Sequence, residues 1–469
     1  MSRRLRFGRR LSDALADRRG PGLAVVLGAV LVVIVFGVVL RHLWYPRHAV
    51  TDLTVFYLLA RRIASGDVPY RDFPFEYPPL TLPFYLAPDH LHGDLKSGYL
   101  GYRRWFTAEM LLFAIATCTV VVVTSWRLWR SRLVSVAAAV FFAVSLAALG
   151  TIVQDRLDMA AALTIAVATL LLVSERLTAT AAVIGLGIAL KYVPGLLLGL
   201  VLPLAGQIRR ALSLGLVCLA VALAPFLPFL VLAPQGIGWS LWRHTRRPIE
   251  IESLPATVIL LRHVLGGTPA HVRWSYGSFA VTSSWAGVLS FLSSALTIGA
   301  IAGVWVLIVL ARPALSDTPT KLPLAALTIL LAAVAPGKVL SPQYLIWLLP
   351  LVVLVALDDL ALGSVAFGAF VMTGIGFPSL FLQLLQLRSG AIAVVAVRNI
   401  LLLVALALGV WRLWGLRRRP LAEGWSLARR MILLDGKPVK HCVPEGDCCE
   451  VIALPGEPHT LKAEGGHRA

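Results

Sequence analysis

Charged residues are scarce in this sequence. Only 14% of the 469 residues are charged, 58% are hydrophobic, and the mean hydropathy is +0.81. Soluble globular domains carry about 25% charged residues, so this composition excludes a soluble enzyme. The apolar residues form runs of about twenty with almost no charge, which is the length that a helix needs to cross a hydrocarbon core about 30 Å thick. The sequence therefore predicts an all-α protein that crosses the membrane many times.

Cysteine is also rare. The chain has five, two inside apolar runs and three in the C-terminal tail next to a histidine: Cys118, Cys218, Cys442, Cys448, Cys449 and His441. This distribution excludes the disulfide framework of a small exported domain. The tail group does not have the spacing of a zinc site, and the chain has no H-E-x-x-H motif. We expect neither a metal nor a cofactor.

Acidic residues are fewer than basic ones, 24 against 43, which gives a net charge of +19. The arginines nevertheless flank the apolar runs, beginning with seven between Arg3 and Arg19. This is the pattern of positively charged cytoplasmic loops, so the charge does not indicate a nucleic-acid partner. The first apolar run, Leu23 to Leu40, is too long for a cleaved signal peptide and is not followed by a cleavage site. It is predicted to be the first membrane span.

Twelve spans are predicted from the apolar runs. They lie near residues 23–43, 105–126, 133–152, 158–174, 177–190, 194–206, 211–233, 284–311, 322–336, 342–357, 360–379 and 391–414. Lys191, Tyr192 and Pro194 interrupt a stretch that is either one long helix or two short ones. Two short helices make the count even, which places both termini and the basic turns in the cytoplasm, and proline commonly marks such a break.

Three regions follow from this topology: a basic cytoplasmic N-terminus (1–22), a membrane domain (23–415) and a cytoplasmic tail (416–469). The Asp-Gly turn within residues 431–440 indicates a small hairpin in the tail, which is otherwise predicted to be disordered. Two long loops, 44–104 and 234–283, lie on the outer side with most of the acids and histidines. A functional site built from outer loops differs from the midplane sites of transporters.

The first outer loop is the most informative segment. Asp52 follows the first span closely, so its carboxylate stays near the membrane surface. Residues 54–64 read as an amphipathic helix in the interface, and residues 80–86 form an apolar stretch too short to span, which re-enters the membrane or lies flat on it. An Asp in this position also suits a helix N-cap, which is the structural alternative to a catalytic role.

Several ordered motifs resemble glycosyltransferase family 87. The order of Asp52, SGDVPYRD (65–72) and Y-P-P-L (77–80) is similar to that family, as are QDRLDMAAAL (154–163), GLGIALKYVPGLLL (185–198) and KVLSPQYLIWLLPL (338–351). The resemblance covers roughly residues 20 to 415. It implies the GT-C membrane fold and an inverting transfer of mannose from a polyprenyl-phosphate donor to a lipid-linked or cell-envelope glycan, on the non-cytoplasmic face of the plasma membrane.

Within that resemblance the residues take distinct roles. Asp52 is the predicted general base, which accepts the proton of the acceptor hydroxyl. Lys191, Lys338 and Arg398 are candidates for the donor phosphate because each lies near the outer surface, where cations stabilise a leaving phosphate. The candidates for sugar or acceptor binding are Glu76, Tyr77, Asp155, Arg156, Asp158, Tyr192, Gln343 and Tyr344.

Several of these residues also have a purely structural explanation. Lys191 can be a lysine that snorkels at the end of a span, Arg398 can pair with a buried carbonyl or acid, and Glu76 and Asp155 can be solvated loop charges. At the level of the whole protein, a transporter or flippase of lipid-linked sugars is the alternative to an enzyme, and a structural subunit is the third hypothesis. A transporter requires a polar path through the middle of the helices.

Overall fold

The computed structural model describes residues 20–40, 51–91 and 98–417. The described residues form one compact unit that ends at Arg417. Most of the predicted basic N-terminus lies outside the described residues, and so does the tail with its predicted hairpin and its histidine and cysteines. The division into three regions therefore stays a prediction.

Within the described residues, seven helices are long and apolar enough to cross a membrane. They are α1 (Gly22–Val39), α4 (Gly98–Trp129), α5 (Arg132–Leu149), α10 (Ile208–Leu232), α13 (Ala286–Asp317), α16 (Leu360–Ser379) and α18 (Ser389–Leu416). Five shorter apolar helices account for the other predicted spans: α7 (Asp158–Val173), α8 (Leu177–Leu190), α9 (Val193–Leu204), α14 (Pro319–Val334) and α15 (Tyr344–Ala356). Each predicted span thus corresponds to one helix, and the prediction of a polytopic all-α membrane protein is confirmed.

The break at Lys191 is present, so two helices replace one long one. Helix α8 ends at Leu190, Lys191 is extended (φ −157°, ψ 133°), and the chain resumes as a 3₁₀ turn from Val193. Pro194 cannot donate a backbone hydrogen bond to the preceding turn. Its ring packs against Gly187, where an added Cβ would lie 2.6 Å from Pro194 Cβ. A small residue therefore allows the turn to fold back on the helix that precedes it.

Helices α14 and α15 form the centre of the bundle. Nearly all of their side chains are buried, which is typical of helices that are hydrophobic on every face. By contrast, α10 and α13 bury only 17% and 22% of their most apolar windows, so they lie at the periphery, where lipid would contact them. Burial thus separates the central helices from the peripheral ones.

The first outer loop contains two helices. The predicted amphipathic helix is α2 (Leu53–Ala64), which buries Leu53, Phe56 and Ala60 and exposes Val55 and Leu58. After a 3₁₀ turn, α3 (Leu82–Leu91) packs against α4. A short helix, α6 (Ile152–Asp155), links α5 to α7.

The second outer loop, 234–283, also contains regular secondary structure. It contains α11 (Pro234–Arg246), α12 (Leu254–Val264) and a hairpin of β1 (His271–Ser275) and β2 (Ser278–Thr282), whose register pairs His271 with Thr282 and Ser275 with Ser278. Tyr276 and Gly277 both have positive φ, as a tight two-residue hairpin turn requires. Helix α12 is apolar and packs on α13 and α18. A short helix, α17 (Phe381–Leu385), precedes α18.

Candidate active site

Asp52 does not cap α2. It occupies the N-cap position, but its side chain accepts no hydrogen bond from the first turn of that helix, all of which is described. Thr51 Oγ1 instead accepts a hydrogen bond from the backbone N–H of Leu53, at 3.2 Å. The Asp52 carboxylate forms an ion pair with Arg156. Because 41% of the Asp52 side chain is exposed against 9% of Arg156, the carboxylate remains accessible while its partner is held in the protein.

The turn between α6 and α7 supplies three buried charges: Asp155, Arg156 and Asp158. Burial raises the pKa of Asp155 to about 6, although the neighbouring cations Arg156 and Arg103 act in the opposite direction. Arg156 Nε has no hydrogen-bond partner within the described residues. A buried guanidinium with an unused donor is costly unless a ligand completes its shell.

Asp158 connects this turn to the break after α8. Its carboxylate accepts hydrogen bonds from Lys191 Nζ at 3.0 Å and from Trp347 Nε1 at 2.6 Å. Lys191 also lies over the Trp347 ring, 5.8 Å from its centre, and the Trp347 and Tyr344 rings stack at 4.1 Å. The Lys191 side chain is 25% exposed, so it retains access to solvent or to a ligand. The stacked rings of Tyr344 and Trp347, with the Lys191 cation beside them, form a surface that suits a sugar phosphate.

Glu76 lies opposite α11. Arg243 Nε donates to its carboxylate at 2.8 Å, Ser240 Oγ donates to its carbonyl at 3.2 Å, and His244 Nε2 lies 3.1 Å from the same carbonyl. Burial lowers the pKa of His244, which favours the neutral imidazole. Tyr192 packs edge-on against the His244 ring at 5.5 Å. Glu76 therefore fixes the first outer loop to the second instead of being a solvated loop charge.

The segment 247–253 joins α11 to α12 and faces α15. Arg247 lies 3.9 Å from Glu250, and the Glu250 carboxylate also accepts a hydrogen bond from Ser341 Oγ. The backbone N–H of Glu250 donates to the Lys338 carbonyl at 2.9 Å. Lys338 Nζ lies at hydrogen-bond distance from the Thr245 carbonyl (3.5 Å), and burial lowers its pKa.

Arg398 is buried away from solvent, with 1% of its surface exposed. It donates to the carbonyl of Glu252, to Glu252 Oε1 at 3.3 Å and to Asn399 Oδ1 at 3.1 Å. Burial raises the pKa of Glu252 to about 7, against the effect of Arg398. The alternative that Arg398 pairs with a carbonyl and an acid thus describes its position, and each of its three guanidinium nitrogens already donates a hydrogen bond within the protein. We do not retain it as a phosphate ligand.

Most of the predicted site residues lie in one cluster. Tyr77 is partly buried within electrostatic reach of Glu76, Asp52, Arg156 and Asp158, and desolvation raises its pKa well above the usual value. Tyr344 is within electrostatic reach of Asp158, Arg247 and Glu250. Gln343 begins α15 next to Tyr344, with a buried side-chain oxygen that has no hydrogen-bond partner in the described part of the chain.

Sequence reasoning missed two members of this cluster, Arg243 and Arg247. Both lie in the second outer loop, which carries no motif of the resembled family. The R-R-P-I-E-I-E run (246–252) gives a local signal, because apolar and acidic residues alternate as in a strand with one buried face. Within residues 20–40, 51–91 and 98–417, no three His, Cys, Asp or Glu side chains are grouped as metal ligands.

No protein-family model and no curated protein matches this sequence. Among solved structures, the chain is similar to the crystal structure of ArnT from Cupriavidus metallidurans bound to undecaprenyl phosphate. The two share 18% identity, the match covers 87% of this chain and 80% of that one, and the TM-score is 0.43.

Proposed function

We propose that this protein is a membrane glycosyltransferase that transfers a sugar from a polyprenyl-phosphate donor to a lipid-linked or cell-envelope glycan. The observation that supports this most strongly is the state of Asp52: an accessible carboxylate, next to the first span, that caps no helix and is oriented by a buried arginine. The sugar is mannose if the resemblance to family 87 extends to specificity.

Asp52 is the general base of the proposed reaction. It takes the proton of an acceptor hydroxyl while that oxygen bonds to the anomeric carbon of the donor, and the bond from that carbon to the phosphate oxygen breaks. The polyprenyl phosphate leaves with the bonding electron pair, and the configuration at the anomeric carbon inverts. Arg156 orients the carboxylate, much as a second group orients the base in other acid–base sites.

Cations near the stacked Tyr344 and Trp347 rings stabilise the leaving phosphate. Lys191 is the leading candidate because it is partly exposed and lies beside Trp347. Arg247 is the second, since it lies near Tyr344 and its Nε has no hydrogen-bond partner within the described residues. Charge that develops on a leaving oxygen is stabilised most by donors that are already positioned in a site shielded from water.

The side walls of the site suit a sugar. Tyr192, Tyr344 and Trp347 provide ring faces, and Glu76, Asp155 and Gln343 provide polar atoms for hydroxyls, while Tyr77 closes the site next to Asp52. Sites for small polar ligands combine aromatic surface with a few oriented polar groups in this way. The donor lipid reaches the site from the bilayer, and the acceptor reaches it from the outer side.

A transfer assay tests the proposed function directly. Membranes that contain the protein are incubated with labelled polyprenyl-phosphate mannose and with candidate lipid-linked or glycan acceptors, and the products are separated by thin-layer chromatography. We expect a labelled product that the Asp52→Asn variant does not form. If donor label crosses the bilayer of reconstituted vesicles but never enters an acceptor, the protein is a flippase and the proposal is wrong.

The proposed orientation has its own test. The site faces the non-cytoplasmic side of the plasma membrane and both termini are cytoplasmic. Cysteines introduced at His90 and His271 are therefore expected to react with an impermeant maleimide in intact cells, whereas a cysteine at Pro420 reacts only after lysis. Protection of position 271 in intact cells would reverse the assigned topology.

A further inference from the structure

The segment 247–253 is held in place by three parts of the molecule. Its backbone pairs with β2 at one antiparallel bridge, Glu250 with Ala280, where Ile251 N–H donates to the Phe279 carbonyl and Val281 N–H donates to the Ile249 carbonyl, both at 2.9 Å. The 336–341 turn holds it through the bond from Glu250 N–H to Lys338. The third part is α18, and it is the only one of the three that uses side chains inside a membrane span.

Helix α18 holds the segment through two adjacent polar residues. Arg398 donates to the carbonyl and the carboxylate of Glu252, and Asn399 Nδ2 donates to the same carbonyl at 3.1 Å and to Thr257 Oγ1 at 2.8 Å. Asn399 also accepts from Arg398 Nε, so the two side chains orient each other. A single carbonyl therefore receives two side-chain donors from one membrane helix.

This network is a poor way to increase stability. Removing a guanidinium and a carboxylate from water is expensive, and apolar side chains of the same size often serve at least as well. A fully satisfied buried network instead fixes one arrangement of the chain. What it fixes here is the stretch that begins with Arg247 and Glu250, which face Tyr344 and Ser341 on the substrate side.

We propose that Arg398 is a positioning residue, which holds the segment 247–253 so that Arg247 and Glu250 face the substrate. Arg398 itself does not touch the donor. The catalytic consequence rests on the proposed glycosyltransferase function, whereas the positioning of the segment does not. The two can fail separately.

Limited proteolysis tests the positioning without any activity. Arg246 is exposed directly before the segment, and trypsin cleavage after it requires the adjoining backbone to open locally. In the purified full-length protein, Arg398→Gln is expected to accelerate this cleavage about tenfold, the effect of losing a charge-assisted hydrogen bond that opposes local opening. Mass spectrometry of the fragment that ends at Arg246 gives the rate.

Two further variants remove only part of the network. Arg398→Lys keeps the charge but lacks the fork that reaches both the carbonyl and the carboxylate, and Asn399→Ala removes one of the two donors to the carbonyl. Both are expected to show intermediate cleavage rates, and they serve as the test if Arg398→Gln does not fold. Leu402→Ala, one turn further along α18, is the matched control because it removes a buried side chain and none of these hydrogen bonds.

Kinetics provide the second readout. In the transfer assay, the folded Arg398→Gln enzyme is expected to show a raised donor KM with kcat reduced less, while Leu402→Ala lowers thermal stability and leaves both constants unchanged. Cleavage after Arg246 at the wild-type rate in the Arg398 and Asn399 variants would overturn the proposal, and so would equal acceleration in Leu402→Ala. A wild-type protein without transferase activity refutes the proposed function and leaves the cleavage test intact.

Discussion

Asp52 and Asp359 stand at the same position of two helices and behave differently. Asp359 precedes α16, accepts a hydrogen bond from Leu362 N–H at 3.2 Å as an ordinary N-cap, and pairs with Arg412 at 2.5 Å. Asp52 precedes α2 without a cap bond and faces Arg156. The same residue type at the same helical position therefore stabilises a helix in one place and is available for chemistry in the other.

The same contrast holds for the lysines nearby. Lys321 pairs with Asp358 at 2.6 Å, and the two side chains are 24% and 22% exposed. Lys191 is equally exposed, 25%, but its partner Asp158 is only 2% exposed and is also bound by Trp347. The first pair is a surface pair, whereas the second anchors a buried carboxylate at the edge of a cluster that contains further acids and arginines.

The largest effect is expected from the aspartates. Asp52→Asn keeps the shape of the side chain and removes its basicity, so transfer should fall by about 10²- to 10⁴-fold, the usual loss for a positioned base. Asp359→Asn, the matched control, should keep activity within about twofold and cost about 1 kcal/mol of stability at most, the loss typical of a weakened cap. Initial transfer rates per inserted protein give the comparison.

An Asp52→Asn variant that transfers sugar at nearly the wild-type rate would show that Asp52 only orients Arg156. The catalytic carboxylate would then be sought at Glu76, Asp155 or Asp158.

The lysines give the next largest effect. Lys191→Met is expected to raise the apparent donor KM about tenfold, because a hydrogen bond between charged groups is worth roughly 1.5–3 kcal/mol when water is excluded. Lys321→Met should leave the donor KM unchanged, since exposed ion pairs contribute about 0–1 kcal/mol and lie away from the site. Donor titration at saturating acceptor measures both. Equal donor KM values in the two variants would make Lys191 a structural residue.

The last comparison concerns stability and its dependence on pH. Burial raises the pKa of Asp155 from 3.8 to about 6 in the folded protein, so this group favours folding below pH 4 and loses that contribution as the pH rises to about 6. Asp155→Asn does not titrate. The free energy of unfolding of this variant, relative to that of the wild type, should therefore rise by up to about 3 kcal/mol between pH 4 and pH 8.

Thermal unfolding in detergent at both pH values checks this sign. Asp72→Asn is the exposed control, because the hydrogen bond from Arg71 lowers the pKa of Asp72 to about 2 and its shift has the opposite direction. If Asp155→Asn instead loses stability relative to the wild type as the pH rises, the effect of Arg156 and Arg103 on the pKa of Asp155 outweighs that of burial.

Much of the fold was predictable because it depends on local pattern. The apolar runs predicted the twelve helices that correspond to the proposed spans. Pro194 predicted the break after α8, and the spacing of apolar residues predicted α2. The second outer loop was not predictable in the same way. Its α12 is apolar but too short to span, and its hairpin and the bridge from Glu250 to Ala280 depend on pairings that hydropathy does not encode.

The candidate site divides along the same line. The sequence by itself determined which ionisable residues lie at the ends of the helices, because a charge is expelled from the hydrocarbon core and therefore marks a boundary. Only the tertiary structure decided which of them are partners. Arg398 and Glu252 are 146 residues apart, Arg243 and Glu76 are 167 apart, and Trp347 and Asp158 are 189 apart. Hydrogen bonds and ion pairs act over a few ångströms in space, whereas sequence pattern reports on neighbours along the chain. The pairing of the uncapped Asp52 with Arg156 and the burial of Arg398 therefore became visible only once the helices were packed.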